Sequence, residues 1–207
     1  TPFEFTDGRI ELYDTEKGTV NNAVKYADHA VGQFIAKARA SSYWDDTLIL
    51  VVADHNSRVY GEALVPIERF HIPGVVVGGG VVPQHYARVA SQIDLAPTLL
   101  SMMGLEGPSP MPGRDLLALD DDTPGRAMMQ FNALNAYMEE DEVVVLRHDL
   151  PPAAFRHTPD GLEPLPEVRE GLANRAVAHA TWAAESYRTG SYGARPPAAR
   201  DTDTRIP

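Results

Sequence analysis

An aspartate and a histidine directly follow a run of aliphatic residues, and their side chains are the ones best suited to chemistry. The run from Thr47 to Ala53 has the length and composition of a strand buried on both faces, and Asp54 and His55 follow it. A carboxylate oxygen and an imidazole nitrogen are both good ligands for Zn²⁺ or Mn²⁺. Two ligands do not complete a coordination sphere, so the others would have to come from distant parts of the fold.

The position of this pair favours a function, but the pair also has a purely structural interpretation. In open α/β sheets, ligands gather outside the carboxyl ends of the strands, where loops converge. Alternatively, Asp54 caps the turn after the strand while His55 hydrogen-bonds locally, as short polar side chains often do. Residue types alone leave both interpretations open.

The segment after the pair is long for a connection between strands. It runs from Asn56 to Phe70, whereas simple connectors usually take about two to six residues. The next aliphatic run, His71 to Val77, predicts a second buried strand. Asn56, Arg58 and His71 are therefore candidate substrate-binding residues, since a guanidinium can pair with an anionic substrate through its planar donors. A solvent-exposed Arg58 and a purely structural His71 remain alternatives.

Two helices and this sheet would position the pair. Apolar residues recur at three- and four-residue spacing from Val20 to Ala38, with Thr19 as N-cap, which predicts an amphipathic helix packed on the sheet. Asn22 falls on its polar side. A shorter helix is predicted from Leu95 to Met103, with Asp94 as N-cap and a glycine at its end.

The second half of the chain predicts short strands and a final helix. Ala127–Phe131, Ala136–Met138 and Val143–Leu146 have strand character, and the last two read as an antiparallel hairpin. An irregular stretch then runs from Asp149 to Pro166. The remaining segments are a helix over Glu167–Tyr187, which ends the domain that we place at residues 1–187, and a tail at 188–207 that we expect to be disordered.

Composition excludes several classes of protein. Lys plus Arg number 18 against 29 Asp plus Glu, a formal net charge of −11, and no basic block could follow a phosphate backbone. We therefore expect no nucleic acid partner. The chain has no cysteine, which excludes thiolate chemistry and cysteine metal sites. No apolar run is long enough to span a bilayer, so we expect the chain as given to be soluble.

Five motifs occur in the order found in one known family: Asn22 to Gly32, Val51 to Asn56, Phe70 to Gly74, Ser91 to Leu100 and Gly113 to Leu116. Together they resemble the C-terminal half of the catalytic domain of lipoteichoic-acid-synthase-like sulfatases and phosphoglycerol transferases, in the alkaline phosphatase superfamily. The resemblance weakens from Ala127 to Val145, and the tail carries none.

The resemblance implies a fold and a metal site. The fold would be an α/β sandwich of the alkaline phosphatase type, layered α/β/α and present in part, with a small antiparallel sheet toward the C-terminus. The family holds one divalent ion with an early acid, a Thr or Ser nucleophile and a late Asp-His pair, which Asp54 and His55 match. Mn²⁺ is the ion we expect first, with Zn²⁺ or Mg²⁺ as alternatives. The nucleophile would lie upstream, so we expect no catalytic residue in this chain; Pro2 and Phe3 resemble a pair that follows a substrate-binding His.

The resemblance also implies a reaction and a location. The full-length enzyme would act on a phospholipid- or glycan-linked phosphate or sulfate ester, through a covalent intermediate on the upstream hydroxyl. It would be membrane-anchored and extracytoplasmic, on the periplasmic face. The fragment alone would be inactive, and it would self-associate through apolar surfaces that a missing N-terminal half covers. Transfer and hydrolysis both stay open, as does a non-catalytic interaction domain that keeps the fold.

Overall fold

The computed structural model describes residues 4–56, 64–105 and 107–193, which form two compact units. The first comprises the described residues up to Val51 together with Gly74–Pro83. The second comprises those from Val52 to Pro73 together with those from Gln84 onward. Pro2, Phe3, Arg58 and most of the predicted tail lie outside the described residues. No helix within the described ranges is long and apolar enough to cross a membrane.

The first unit contains one long helix and a two-stranded sheet. Helix α1 spans Val20–Arg39, and strands β1 (Leu48–Val52) and β2 (Gly74–Gly78) pair with each other. The Thr19 side chain accepts a hydrogen bond from the backbone N–H of Asn22 at 3.2 Å, so the predicted N-cap is confirmed.

The turn after β2 requires glycine. The backbone N–H of Gly79 donates to the carbonyl of Trp44 at 2.9 Å. A Cβ added at Gly79 would lie 2.2 Å from the Cα of Asp45, so any side chain here would clash with backbone. Gly79 and Gly80 thus form a turn that directly follows β2.

Two expectations for the packing of the first unit were wrong. Val24 and Phe34, on the apolar stripe of α1, are exposed rather than packed on the sheet. All five residues of β1 are half-buried, where burial on both faces was expected. The reason is the same for both: the described residues of this unit supply only two strands, a surface too narrow to cover a long helix or both faces of β1.

Asn22 is buried although the helical pattern placed it on the polar side of α1. Its Oδ1 accepts from the backbone N–H groups of Tyr13 at 2.7 Å and Asp14 at 3.2 Å, and its Nδ2 donates to the carbonyls of Asp14 at 3.1 Å and Glu16 at 2.8 Å. The amide accepts from and donates to the same loop, and these hydrogen bonds offset the desolvation cost of burying it. Asn22 therefore ties the preceding loop to the helix.

The second unit is built on a five-stranded antiparallel sheet, in the order β3-β4-β5-β6-β7. The predicted hairpin is confirmed, because β4 and β5 pair up to Glu139 and Glu142 on either side of a tight turn. The elements of this unit are α2 (Leu95–Met102), β3 (Arg126–Phe131), β4 (Leu134–Glu139), β5 (Glu142–Arg147), β6 (Leu150–Thr158), β7 (Gly161–Pro164) and α3 (Glu170–Thr189).

The irregular stretch expected from Asp149 to Pro166 was wrong, since most of it forms β6 and β7. Prolines concealed both strands, because a proline lacks the N–H that a central strand needs. Pro151 and Pro152 lie where the β5–β6 register shifts between Val145 and Arg147. An irregular pairing tolerates residues that cannot donate to the ladder.

Both faces of this sheet are covered. Alternation along β5 sends Val143 and Val145 to one face and Val144 to the other. On the first face they pack with Val65 and Ile67, from the segment that precedes β2 in sequence. On the second, Val144 and Tyr137 pack with Leu172 and Ala176 of α3, and all four are buried. Leu172 and Ala176 thus pack the last helix against the sheet, whereas Ala180 and Ala183 further along it are exposed.

Candidate active site

Asp54 and His55 follow β1 directly, and their side chains converge. Asp54 Oδ2 lies 3.3 Å from His55 Nε2, and the two side chains are 86% and 70% exposed. Asp54 Oδ1 accepts from the backbone N–H of His55 at 2.9 Å, and His55 Nδ1 is 2.7 Å from the carbonyl oxygen of Asn56. Neither side chain is folded into apolar packing, so both are available to an external group.

This arrangement fits part of a metal site. An Nδ1 that donates to a carbonyl leaves Nε2 as the free lone pair, which is the tautomer that metal-binding histidines use. The carboxylate beside it supplies a hard anionic ligand. The described ranges contain no group of three or more His, Cys, Asp or Glu residues placed to hold one ion. The same local hydrogen bonds also satisfy the structural interpretation, so the metal role remains a prediction.

The three candidate substrate-binding residues differ in what the structure shows of them. Asn56 is half-buried, and its carbonyl is the group that His55 contacts. His71 is exposed at the end of a short 3-10 helix, Ile67–Phe70, and no hydrogen bond joins its described side chain to Asp54 or His55. Arg58 lies outside the described residues. Their substrate role stays a prediction.

The segment leading to His71 is held on the five-stranded sheet. Val65 and Ile67 are buried in the sheet core, and Glu68 Oε1 lies 2.9 Å from His157 Nε2 on β6. The hydrogen bond from His157 lowers the pKa of the Glu68 carboxyl below its ordinary value. The C-terminal sheet therefore fixes one end of the long connection that begins after His55.

Gln92 contacts the tip of β1, a contact that the sequence did not predict. Its Nε2 donates to the carbonyl oxygen of Ala53 at 3.1 Å and lies 3.4 Å from that of Asp54. The residue belongs to a short 3-10 helix, Gln92–Asp94, directly before α2. Its sequence signal was its place in the motif from Ser91 to Leu100, but nothing in that motif says which way an exposed glutamine points.

Asp94 is a buried ionic centre rather than the cap of α2. It occupies the N-cap position as predicted, but its side chain makes no capping bond to α2. Its Oδ2 accepts from Ser91 N–H at 3.0 Å, in a capping box that closes the preceding 3-10 helix. Its Oδ1 accepts from Arg114 N–H at 2.8 Å and from Arg126 Nη2 at 3.2 Å. Asp94 is fully buried, so these bonds offset its desolvation.

Arg126 connects the buried Asp94 to the last helix, α3. Its guanidinium also donates to the carbonyl of Pro112 at 2.9 Å and contacts Nε2 of His179 at 2.8 Å. Burial, and then the positive charge of Arg126, lower the pKa of His179 below its ordinary value. Gly113 permits the close approach, since a Cβ there would lie 2.0 Å from the carbonyl oxygen of Ile93. The last of the five motifs thus docks on the turn that presents Gln92.

Comparisons with known proteins agree with the resemblance. Residues 8–105 match the family model described as Sulfatase. The lipoteichoic acid synthase-like protein YvgJ of Bacillus subtilis is 28% identical over 145 residues, covering 58% of this chain and 23% of its own length. A choline-sulfatase of Rhizobium meliloti is 28% identical over 101 residues, covering 46% of this chain and 20% of its own length.

A solved structure is similar along almost the whole chain. It is a protein in the alkaline phosphatase superfamily from Vibrio parahaemolyticus, 42% identical with a TM-score of 0.85, and the match covers 93% of this chain and 47% of that one. The chain thus spans about half of this structure and no more than 23% of the two curated relatives. The predicted α/β fold of the alkaline phosphatase type, with its antiparallel sheet toward the C-terminus, is confirmed. Residues 8–105 are thus similar to the Sulfatase family, and the chain is similar in sequence and fold to proteins of the alkaline phosphatase superfamily.

Proposed function

We propose that this chain is the C-terminal portion of a metal-dependent enzyme that acts on phosphate or sulfate esters, with Asp54 and His55 as two of the metal ligands. One observation carries the proposal. An exposed carboxylate and an exposed imidazole meet at 3.3 Å at the end of β1, inside the segment that matches the Sulfatase family. Enzymes of that family generally use a divalent metal ion. Mn²⁺ is the ion we expect first, with Zn²⁺ or Mg²⁺ as alternatives.

The two residues would contribute differently to the reaction. Asp54 would bring the negative charge that a hard divalent cation prefers, and His55 a neutral nitrogen whose ring is oriented by the Asn56 carbonyl. The bound ion would lower the pKa of a hydroxyl nucleophile and offset charge on the transferring group. The nucleophile, a Thr or Ser, is proposed to lie upstream of this chain.

The relatives support a substrate class and a location, which are part of the same proposal. A lipoteichoic acid synthase-like relative supports a phospholipid- or glycan-linked phosphate ester, and a choline-sulfatase relative supports a sulfate ester. Phosphoglycerol transfer and sulfuric ester hydrolysis both fit. The lipoteichoic acid synthase-like relative also supports a membrane-anchored enzyme on the extracytoplasmic, periplasmic face. Asn56, Arg58 and His71 are proposed to lie near the substrate.

Metal titration with a matched control tests the ligand assignment. The chain offers a second exposed pair, His148 and Asp149, with Nε2 and Oδ2 3.4 Å apart. We expect Asp54→Ala to weaken Mn²⁺ binding by at least about tenfold in calorimetry, because a lost ligand costs no less than a lost supporting residue. Asp149→Ala should leave the affinity unchanged. Equal effects of both substitutions, or no binding by the unmodified chain, would contradict the proposal and favour a non-catalytic interaction domain.

Two further measurements test what the chain does alone. Without a nucleophile it should not turn over aryl phosphate or aryl sulfate esters, even with Mn²⁺ present. Its exposed apolar stripe on α1 should promote self-association, visible as a concentration-dependent sedimentation coefficient. Turnover by a homogeneous sample would contradict the upstream nucleophile. A monomeric boundary at high concentration would contradict self-association.

A further inference from the structure

We propose that Gln92 is a positioning residue for the candidate metal ligands: its side-chain amide fixes the backbone at the tip of β1, so that Asp54 and His55 project toward the same point. The metal part of this inference rests on the proposed function. The hydrogen-bonding part does not, and it can be tested separately.

The backbone of Ala53 is held at both its N–H and its carbonyl. Its N–H donates to the carbonyl of Pro73 at 3.3 Å, which continues the pairing just beyond β1. Its carbonyl accepts from Gln92 Nε2 at 3.1 Å, a bond from a side chain rather than from a neighbouring strand. The longer contact with the Asp54 carbonyl, at 3.4 Å, places the same amide beside the next peptide group. The amide group has two N–H donors and can serve both oxygens.

Gln92 can hold the tip because its own turn is fixed. Ser91, on one side, accepts at Oγ from the backbone N–H of Met128 on β3 at 3.0 Å. Asp94, on the other side, is buried and paired with Arg126 of the same strand. The exposed side chain therefore extends from a rigid base, which is what a supporting residue needs to orient a ligand. If the turn were not fixed, the side chains of Asp54 and His55 would adopt many orientations, and the affinity for the metal ion would be lower.

The geometry also separates positioning from general stability. Gln92 is exposed, so its replacement removes no buried packing and should leave the fold intact. Its effect should be confined to the peptide groups at the tip of β1. A residue with only a structural role would alter global unfolding and leave the ligand pair unaffected.

The experiment compares three variants in two measurements. Gln92→Met keeps the length of the side chain but has no N–H donor, Gln92→Lys restores a donor, and Gln130→Met is the control at an exposed glutamine of β3. In the metal-free chain, we expect backbone amide exchange at Asp54 and His55, whose N–H groups belong to the two peptide groups that Gln92 contacts, to quicken about tenfold in Gln92→Met. Gln92→Lys should return toward the unmodified rate, and Gln130→Met should not differ from it. Mn²⁺ affinity should fall about tenfold in Gln92→Met and should not change in Gln130→Met.

Each outcome decides the proposal. Unchanged exchange at Asp54 and His55 in Gln92→Met would overturn it, as would faster exchange with full Mn²⁺ affinity, because the amide would then not position the ligands. A matched loss of affinity in Gln130→Met would also overturn it. If the unmodified chain bound no Mn²⁺, the proposed function would fail, while the exchange arm would still decide whether Gln92 fixes the strand tip.

Discussion

Among the described residues, two neighbouring Asp and His residues meet through exposed side chains in two places, one after β1 and one in the turn between β5 and β6. Asp54 and His55 place a carboxylate oxygen 3.3 Å from an imidazole nitrogen, and His148 and Asp149 do so at 3.4 Å. The side chains of the second pair, at 88% and 86% exposed, are as open to solvent as those of the first. Residue type, distance and exposure therefore do not distinguish them.

The surroundings of the two pairs differ. Asp149 has a φ of 55°, in the left-handed region that Asp tolerates in tight turns, and its position is explained by the β5–β6 connection. Asp54 ends a strand whose tip is held by Gln92 from another part of the chain, and it lies within the Sulfatase match at residues 8–105. Support from a separate element, rather than the pair itself, is what makes the first pair a candidate site.

Replacement of the buried Arg126, which pairs with Asp94 in the turn that carries Gln92, should have the largest effect on stability. Arg126→Met would leave Asp94 buried without its charge partner and destabilise the fold by about 3–5 kcal/mol in urea unfolding. Arg156→Ala, which breaks an exposed ion pair with Asp141, is the control and should cost no more than about 1 kcal/mol. An Arg126→Met change as small as the control would show that Asp94 does not depend on that charge.

Mn²⁺ itself should separate the two pairs within one sample. Paramagnetic broadening should reach the amide resonances of Asp54 and His55 at Mn²⁺ concentrations about tenfold below those that broaden His148 and Asp149, because only the first pair has a supported geometry. His55→Ala should remove this difference, and His148→Ala should not. Equal broadening of both pairs in the unmodified chain would show that Asp54 and His55 bind Mn²⁺ no more tightly than His148 and Asp149.

Acid should weaken the network behind the first pair. His179 accepts from Arg126 when neutral, and burial and that positive charge hold its pKa below the value of about 6.5 expected in the unfolded chain. The unfolded state therefore binds the proton more readily, so stability should be full above pH 6.5 and should fall as the pH decreases through the folded pKa. The urea midpoint should drop between pH 7.5 and 5.5, less so in His179→Gln. His148→Gln should retain the full drop.

The smallest effect concerns the pairs as contributors to stability. Without metal, Asp54→Ala and Asp149→Ala should each leave the urea midpoint unchanged within error, because exposed ion pairs contribute little. With saturating Mn²⁺, the unmodified chain should gain stability by mass action and Asp54→Ala should not. A metal-free loss confined to Asp54→Ala would mean that this carboxylate has a structural role.

Local patterns predicted the parts of this fold that depend on neighbouring residues. The N-cap at Thr19 and the β4–β5 hairpin are both specified within a few residues, and both are confirmed. Strands β6 and β7 were missed because prolines obscure the alternation on which strand prediction depends. The burial of Asn22 was missed because periodicity reports the side of a helix, not what a loop does over it.

The sequence by itself determined that an aspartate and a histidine follow a strand, within motifs of a known family. Only the tertiary structure showed that Gln92 contacts the carbonyl of Ala53, 39 positions before it, and that Asp94 meets Arg126, 32 positions after it. Exposed glutamines and charged residues have no periodicity that reveals their partners, because their bonds depend on where distant backbone groups meet. The local sequence determines which two residues are the candidate ligands, but the contacts that support them depend on the path of the whole chain.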